Sequence, residues 1–430
     1  MPILRTFLIY SFIILFSFHY NFGQNIVNNG SFIIIKDGAN IVIGGDFINK
    51  NDGISDGKVN LDGNIILKRN WINLANNEVS IFAGPGVVGS VIMNGTLNQY
   101  IGGTHSSLFE NLIIKNSKKI LNITDCKVND TLFVDAVLDL NSHRIKILNS
   151  NPIGINYISK YIFSETNTNQ GLGEVDWQIG SKLNSYTVPF GSGNTNGDDL
   201  AVKLTINSIG APTNGSIRFA TYPTDCQNNP FPPNVFQLDR DFEYIADRFW
   251  NIDPIYDAKP GINIQFKYLK QNINTSCNNG INENYLKAIR YNTLQNTWSD
   301  FAPTGNVNQA EQKLITDNIA SKDFFAPWCL IAGDFFDWEI YFPNAFTPNT
   351  DGLNETFAPI GNNLDKLEST LYIYNRWGQL IFESSDINYG WNGYYQGKLV
   401  PNDVYVYMFI GTIKNTNKQF KRKGTVTVVR

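Results

Sequence analysis

Short runs of alternating apolar and polar residues recur along the first third of the chain. Between residues 24 and 150 they read "SFIII" from Ser31, "NIVIG" from Asn40, "KVNLD" from Lys58, "NIILK" from Asn64, "EVSIF" from Glu78 and "SVIMN" from Ser90. They continue with "NLIIK" from Asn111, "ILNIT" from Ile120, "TLFVD" from Thr131, "AVLDL" from Ala136 and "RIKIL" from Arg144. A period of two is the signature of a strand with one buried face. Asn and Gly fill the gaps, where tight turns and positive φ cost little. No helical period of comparable strength competes. Strands at this spacing build either a solenoid or a sandwich. Imperfect self-similarity and Asn-rich corners predict a β-solenoid over residues 24–150, with each strand pairing one rung later. An antiparallel sandwich is the alternative.

The texture changes over residues 151–335. Loops lengthen and a Pro-rich stretch appears, "NPFPPNVF" (229–236). Strand-like segments include "SYTVPFG" (185–191), "LAVKLTI" (200–206) and "GINIQFKYL" (261–269). The pattern predicts an all-β middle domain, a sandwich. "NQAEQKLITDNIA" (308–320) fits a short helix or a strand. The run "DFFAPWCLIAGDFFDWEIYF" (323–342) leads without an obvious linker into a last unit, 336–430.

The N-terminus departs from this β pattern. Arg5 precedes an apolar run over residues 7–18, and the small residue Gly23 stands before Gln24. That order predicts a signal peptide over residues 1–23. The apolar run is shorter than the ~20 residues a membrane-spanning helix needs. No later segment is long and apolar enough to span, so no transmembrane span is expected in the mature chain.

Composition narrows the class. The 430 residues exceed one ordinary domain. Charged residues are 17% and aromatics 13%, so a large core can form and disorder is not expected. The net charge of −4 carries no nucleic-acid signature. Charge is uneven, however. After Asp403 no acid occurs, while Lys414, Lys418, Lys421, Arg422, Lys423 and Arg430 follow. Lys on a sheet edge blocks edge-to-edge pairing, which is the simpler reading; a partner-binding patch is the other.

Four cysteines follow the signal segment: Cys126, Cys226, Cys277 and Cys329. Export permits disulfides. Three connectivities exist and spacing does not choose among them. Cys226 and Cys277 share the middle region and are the favoured pair, with buried thiols as the alternative. No CxxC spacing suggests zinc.

Catalytic groups are scarce. Only His105 and His143 follow the signal segment, and no GxSxG, HExxH or P-loop occurs. A non-enzyme is expected. Paired carboxylates remain the route to a glycosidase or lyase, so a secreted polysaccharide-active enzyme is the alternative. For a binding protein, Trp250, Trp298 and Tyr291 are candidates to stack on glycans; the other reading puts them in the core.

The last unit is the most patterned. It begins "WEIYFPNAFTPNTDGLNETFAPIG". Pro343 and Pro348 fix φ, Asn349 and Asp351 are suited to Asx-turns, and Gly352 to positive φ. Phe346 and Phe357 read as core anchors, so the stretch is a preorganised turn between strands. The other reading is calcium, since Asn349, Asp351 and Asn354 offer oxygen ligands at i, i+2 and i+5, short of an EF-hand series. "LYIYNRWG" follows as an alternating strand and tight turn, with Trp377 expected to pack on the sheet and Arg376 to stack or pair nearby. "GWNG" (390–393) and "VYVYMF" (404–409) come next, and the latter puts Tyr405 and Tyr407 on one face.

These motifs, in this order, resemble the gliding motility-associated C-terminal domain (CHU_C-like), also called the type B sorting domain of the type IX secretion system of Bacteroidetes. The first motif is carried by Pro343, Asn344, Ala345, Phe346, Thr347, Pro348, Asn349, Asp351, Gly352, Asn354 and Phe357. The second is Ile373, Tyr374, Asn375, Arg376, Trp377 and Gly378, and the third Gly390, Trp391 and Gly393. Departures are Thr350 where Gly is usual, and Glu355 and Asn392 where Asp is usual. The resemblance implies an Ig-like β-sandwich that serves as an address. Its partner would be the secretion machinery at the outer membrane, and its destination the cell surface or the medium. The preceding residues would then be a passenger, expected to be adhesin-like or structural, with glycans or other surface proteins as partners and no nucleic acid.

Overall fold

The computed structural model describes residues 23–81, 88–165, 172–193, 198–235, 244–273, 281–294, 296, 298, 304–332, 340–361, 364, 367–413 and 419–430. The expected signal peptide, apart from Gly23, lies outside them, as does Cys277. The described residues form strands and short 3-10 turns, with no α-helix among them. No described helix is long and apolar enough to cross a membrane. The chain divides into two compact units, Met1–Gly333 and Asp334–Arg430.

The first unit opens as a three-faced parallel solenoid of about six turns. Its first face stacks Ile26–Asn29, Phe47–Lys50, Trp71–Leu74, Gln99–Gly103, Lys119–Asn122, Leu138–Asp139 and Ile162–Phe163. The second face begins with Phe32–Ile35 and Lys58–Leu61, and the third with Asn40–Ile43, Asn64–Leu67 and Ser90–Met93. The longer strand Ser107–Lys115 serves both, pairing with Val79–Ile81 and then, past a shift between Phe109 and Asn111, with Ser90–Met93. Parallel pairing places like positions on top of one another from rung to rung. Phe47, Trp71 and Ile101 are therefore in register, and the Phe47 and Trp71 rings stack at 4.3 Å.

The first face carries a ladder of asparagines at the third position of successive strands. Asn28, Asn49 and Asn73 are aligned and buried. The Asn28 amide donates to Asn49 Oδ1 at 2.9 Å, and the Asn49 amide to Asn73 Oδ1 at 3.3 Å. Each amide also reaches a backbone carbonyl at the start of the next face, Lys58 O at 3.2 Å and Gly57 O at 3.0 Å. A Cβ on Gly57 would sit 2.3 Å from Asn49 Oδ1, so only glycine admits the ladder there. The ladder pairs the Asn28 and Asn49 NH2 groups and the Asn49 and Asn73 oxygens, which offsets the cost of burying them, while Asn28 Oδ1 at its first rung has no partner among the described residues.

A solenoid end exposes unpaired strand edges, which invite aggregation unless covered. Here the second face continues past its last rung. Arg144–Ile147 pairs in parallel with Glu174–Trp177, which pairs antiparallel with Ser216–Pro223. Ile245–Ile255, Trp328–Ile331 and Lys287–Arg290 complete that sheet. A five-stranded antiparallel sheet packs across it, made of Ser185–Val188, Val202–Ser208, Gly261–Lys267, Lys313–Ile315 and Asn306–Asn308. Trp177 meets Tyr186 at 5.2 Å, Trp250 meets Phe266 at 5.3 Å, and Phe266 meets Trp328 at 5.8 Å across the two layers. The middle region is thus a sandwich whose first sheet is an extension of the solenoid wall. One core runs from Ile35 to Ala332, so no break in packing follows residue 150. The segment at 308–320 contributes strand, not helix.

Trp250, Trp298 and Tyr291 are all buried, which removes them as exposed glycan platforms. Phe249 packs on Trp298 at 6.2 Å and Trp298 on Tyr291 at 5.2 Å, so the aromatics beside charged residues in the sequence are core. Cys126 and Cys329 are buried thiols, and burial pushes the Cys126 thiol far up. Cys226 is disulfide-bonded.

Candidate functional site

The C-terminal unit is built on one five-stranded sheet. Its order is Ala345–Phe346, Gln419–Val428, Val404–Ile413, Leu367–Tyr374 and Leu380–Ser384. Two short ribbons, Ile340–Tyr341 with Ile360–Gly361 and Tyr394–Tyr395 with Lys398–Leu399, accompany it. Tyr405, Tyr407 and Phe409 alternate onto the inner face of the sheet. Phe342 stacks on Tyr407 at 4.6 Å, Phe357 meets it at 5.3 Å, and Trp391 meets Tyr405 at 5.0 Å.

The motif residues divide into those that close this core and those that face solvent. Phe346 and Phe357 are buried, as expected of anchors. Phe357 and Trp391 exchange backbone hydrogen bonds, each 2.8 Å, which ties the first motif to the third. Gly390 is needed for that closure: a Cβ would lie 2.8 Å from Phe357 O. Gly393 has φ +76° and packs against the Pro348 ring. Asn344 O accepts from Thr427 N at 2.9 Å and fixes the entering chain to the last strand. Ala345 continues that parallel contact, with Thr427 as its partner. Pro343 precedes this segment.

Between the anchors the loop is closed by its own side chains. Thr347 N donates to Asn354 O at 2.9 Å. Asn349 Oδ1 accepts from Asp351 N at 3.1 Å, and Asp351 Oδ1 from Leu353 N at 2.7 Å. The Leu353 N–H, and after it the Asn349 side-chain amide, hold the exposed Asp351 carboxyl below its ordinary pKa. The Asn349 amide donates to Asp351 Oδ2 at 3.0 Å. An amide donor facing a carboxylate is the wiring of a closed turn and does not fit an oxygen cage for calcium. Thr350 has φ +67°, Gly352 +86° and Asn354 +52°, so the position where the motif usually has Gly is one that needs the left-handed region.

The second motif turns outward. Asn375 Oδ1 accepts from Trp377 N and Gln379 N, both at 3.0 Å, and Gly378 has φ +77°. This rigid turn leaves Trp377 82% exposed, against the expectation that it packs on the sheet. The Arg376 guanidinium lies 5.5 Å from the Trp377 ring and 3.6 Å from Asp403. The outer sheet face next to this turn is apolar. Leu380, Val404 and Val406 are exposed, and Tyr374 is the partner of Val406. Lys421 and Lys423 flank this face, opposite Ile410 and Met408. Among the described residues the last strand pairs on its other side at Thr427 and Val428 alone, so Lys421, Arg422 and Lys423 lie along an edge with no strand partner there.

The arrangement is a turn ordered by its own hydrogen bonds, with its large apolar side chain held in water. Residues 340–428 match the CHU_C type IX secretion signal domain. No curated protein and no solved structure matches the chain. The signal domain covers the C-terminal unit alone. It marks the protein for export to the cell surface or the extracellular space by the type IX secretion machinery. Sequence reasoning found the signal domain but missed that Trp377 is presented and not packed. The available clue was the pairing of Asn375 with Gly378, which marks residues 375–378 as a turn beyond the strand that ends at Tyr374, so that Trp377 sits on the turn and not on the sheet.

Proposed function

We propose that the protein is a surface-displayed or secreted binding protein whose signal domain is read at the turn bearing Trp377. The observation that carries this reading is the exposure of Trp377 on a turn that Asn375 already fixes. A side chain of that size loses contact with water at little entropic cost when its backbone is ordered beforehand. Residues 24–333 are the passenger, with a non-catalytic, adhesin-like or structural role. Support comes from the solenoid, which offers long regular faces with Val27, Phe32 and Val42 exposed. Further support comes from Glu165, a carboxylate that burial pushes up. It is held at 2.6 Å by Arg248, which is how a structural ion pair is used.

The test is export in a host with type IX machinery. Full-length chain, a chain lacking residues 336–430, and Trp377→Ala are compared for protease-accessible protein on cells and in the medium. The reading expects the full chain outside, the truncation in the periplasm and Trp377→Ala retained. Equal export of the truncation would sink the address reading. Equal export of Trp377→Ala would move the recognition surface elsewhere on the domain.

A further inference from the structure

Between the last solenoid corner and the second sandwich sheet lies a cleft of about 400 Å³. That is within the roughly 300–1,000 Å³ typical of small-ligand sites. One wall is the corner at residues 157–161, which brings Tyr157 and Tyr161 to the opening. The floor is the outer face of the sheet. Thr187, Lys203 and Gln265 form one cross-strand row there, because their neighbours Val188, Val202 and Phe266 point into the core. Partial burial, with Asp199 and Asp198 respectively nearby, raises the phenols of Tyr157 and Tyr161 above their ordinary value.

The charges of the lining are unequally used. Lys267 is tied to Asp199 at 3.4 Å and to Glu311 O at 2.8 Å. Asp198 accepts from Ser192 Oγ at 2.6 Å. Among the described residues, Lys160 and Lys203 have no acidic partner, although both line the cleft. Two unneutralised ammonium groups thus face a site that also holds carboxylate and amide acceptors and two phenol rings. A bare anion would use the lysines alone and be repelled by the aspartates. A saccharide bearing a carboxylate uses the whole lining: its carboxylate meets the lysines, its hydroxyls donate to Asp198, Asp199 and Gln265, and a pyranose face lies on tyrosine. We infer that this cleft binds an acidic, uronate-containing oligosaccharide. The inference rests on the binding-passenger reading and locates its site.

The full-length mature chain is titrated calorimetrically with a galacturonic acid tetrasaccharide and with the neutral galactose tetrasaccharide. The expected result is saturable binding of the uronate, at least roughly tenfold weaker binding of the neutral sugar, and weakening with salt. Lys160→Glu with Lys203→Glu is expected to weaken uronate binding roughly tenfold or more with the thermal midpoint unchanged, since both side chains are exposed. Lys36→Glu, on the solenoid, is the control and binds as the parent does. Equal binding of the neutral sugar, or uronate binding that survives the double substitution, overturns the cleft while leaving the passenger reading intact. Absence of uronate binding by the parent chain overturns it too. Release of reducing ends from either sugar would instead overturn the non-catalytic reading, so the two failures are separable.

Discussion

Phe357 N donates to Trp391 O and Trp391 N to Phe357 O, both at 2.8 Å, so two motifs far apart in the chain are joined by a reciprocal backbone pair. The Trp391 ring then fills the space between Phe346 and Tyr405, at 5.3 Å and 5.0 Å. Trp391→Ala is expected to destabilise the C-terminal unit by ~3–5 kcal/mol, in the range of buried aromatic truncations. Gly390→Ala should also destabilise it, because the added Cβ meets backbone and not a side chain that can move. Chemical denaturation followed by tryptophan fluorescence checks both. Unchanged midpoints would mean that the pair is incidental to the fold.

Thr350 offers the opposite change. A β-branched residue at φ +67° is strained, and left-handed backbone costs an L-residue roughly 1–2 kcal/mol. Thr350→Gly removes that strain but adds unfolded-state entropy. A net gain of about 0.5–1 kcal/mol is expected, read as a higher midpoint of the C-terminal transition. A loss would show that the Thr350 hydroxyl, which donates to Asn349 O at 2.6 Å, outweighs the backbone term.

Trp377 separates stability from recognition. With 82% of its surface exposed, Trp377→Ala should leave the midpoint within ~0.5 kcal/mol of the parent. Export should nevertheless fall. A variant that is both destabilised and retained would point to a structural role, and the stability measurement therefore accompanies the export assay.

The asparagine ladder makes a prediction about position along the solenoid. Asn49→Ala leaves Gly57 O, the Asn28 amide and Asn73 Oδ1 short of a partner. The expected cost is ~1–3 kcal/mol. Asn64→Ala removes only an exposed bond to Asn40 and should cost within ~0.5 kcal/mol. Amide exchange in the first three rungs distinguishes them: faster for the former and near parental for the latter.

Lys119 gives the solenoid a pH response. It is fully buried, in register with Gln99 and Leu138, and its ammonium reaches Lys115 O at 2.7 Å and Ser117 O at 2.5 Å. Burial lowers its pKa to about 8 from 10.5. Between these values the unfolded chain binds the proton and the folded chain does not, so this group makes stability rise with pH from about 8 to 10.5. The full rise is on the order of 3 kcal/mol. Lys119→Met should abolish that increment in unfolding midpoints taken across the same window. A parent chain whose midpoint shows no more rise than the variant's would refute the assignment.

Much of the architecture was legible locally. Period-two alternation marked the strands of the solenoid, and Asn and Gly marked its corners, because backbone preference and turn chemistry act over a few residues. The order of motifs after Phe342 identified the signal domain for the same reason: Pro, Asn and Gly fix turns wherever they stand. What alternation does not contain is the identity of the buried side. Trp250, Trp298 and Tyr291 read as candidate sugar platforms and are core, while Trp377 read as core and is presented to solvent. Aromatic side chains suit either environment, and contacts with residues remote in sequence decide between them. The three faces of the solenoid, the pairing of Arg144–Ile147 with Glu174–Trp177 and the cleft between corner and sheet are likewise settled by strand pairing across tens of residues. The sequence by itself determined the strands, the turns and the address. Only the tertiary structure decided that solenoid and sandwich share one core and which charged and aromatic groups remain outside it, because burial is a property of the assembled neighbours and not of the residue.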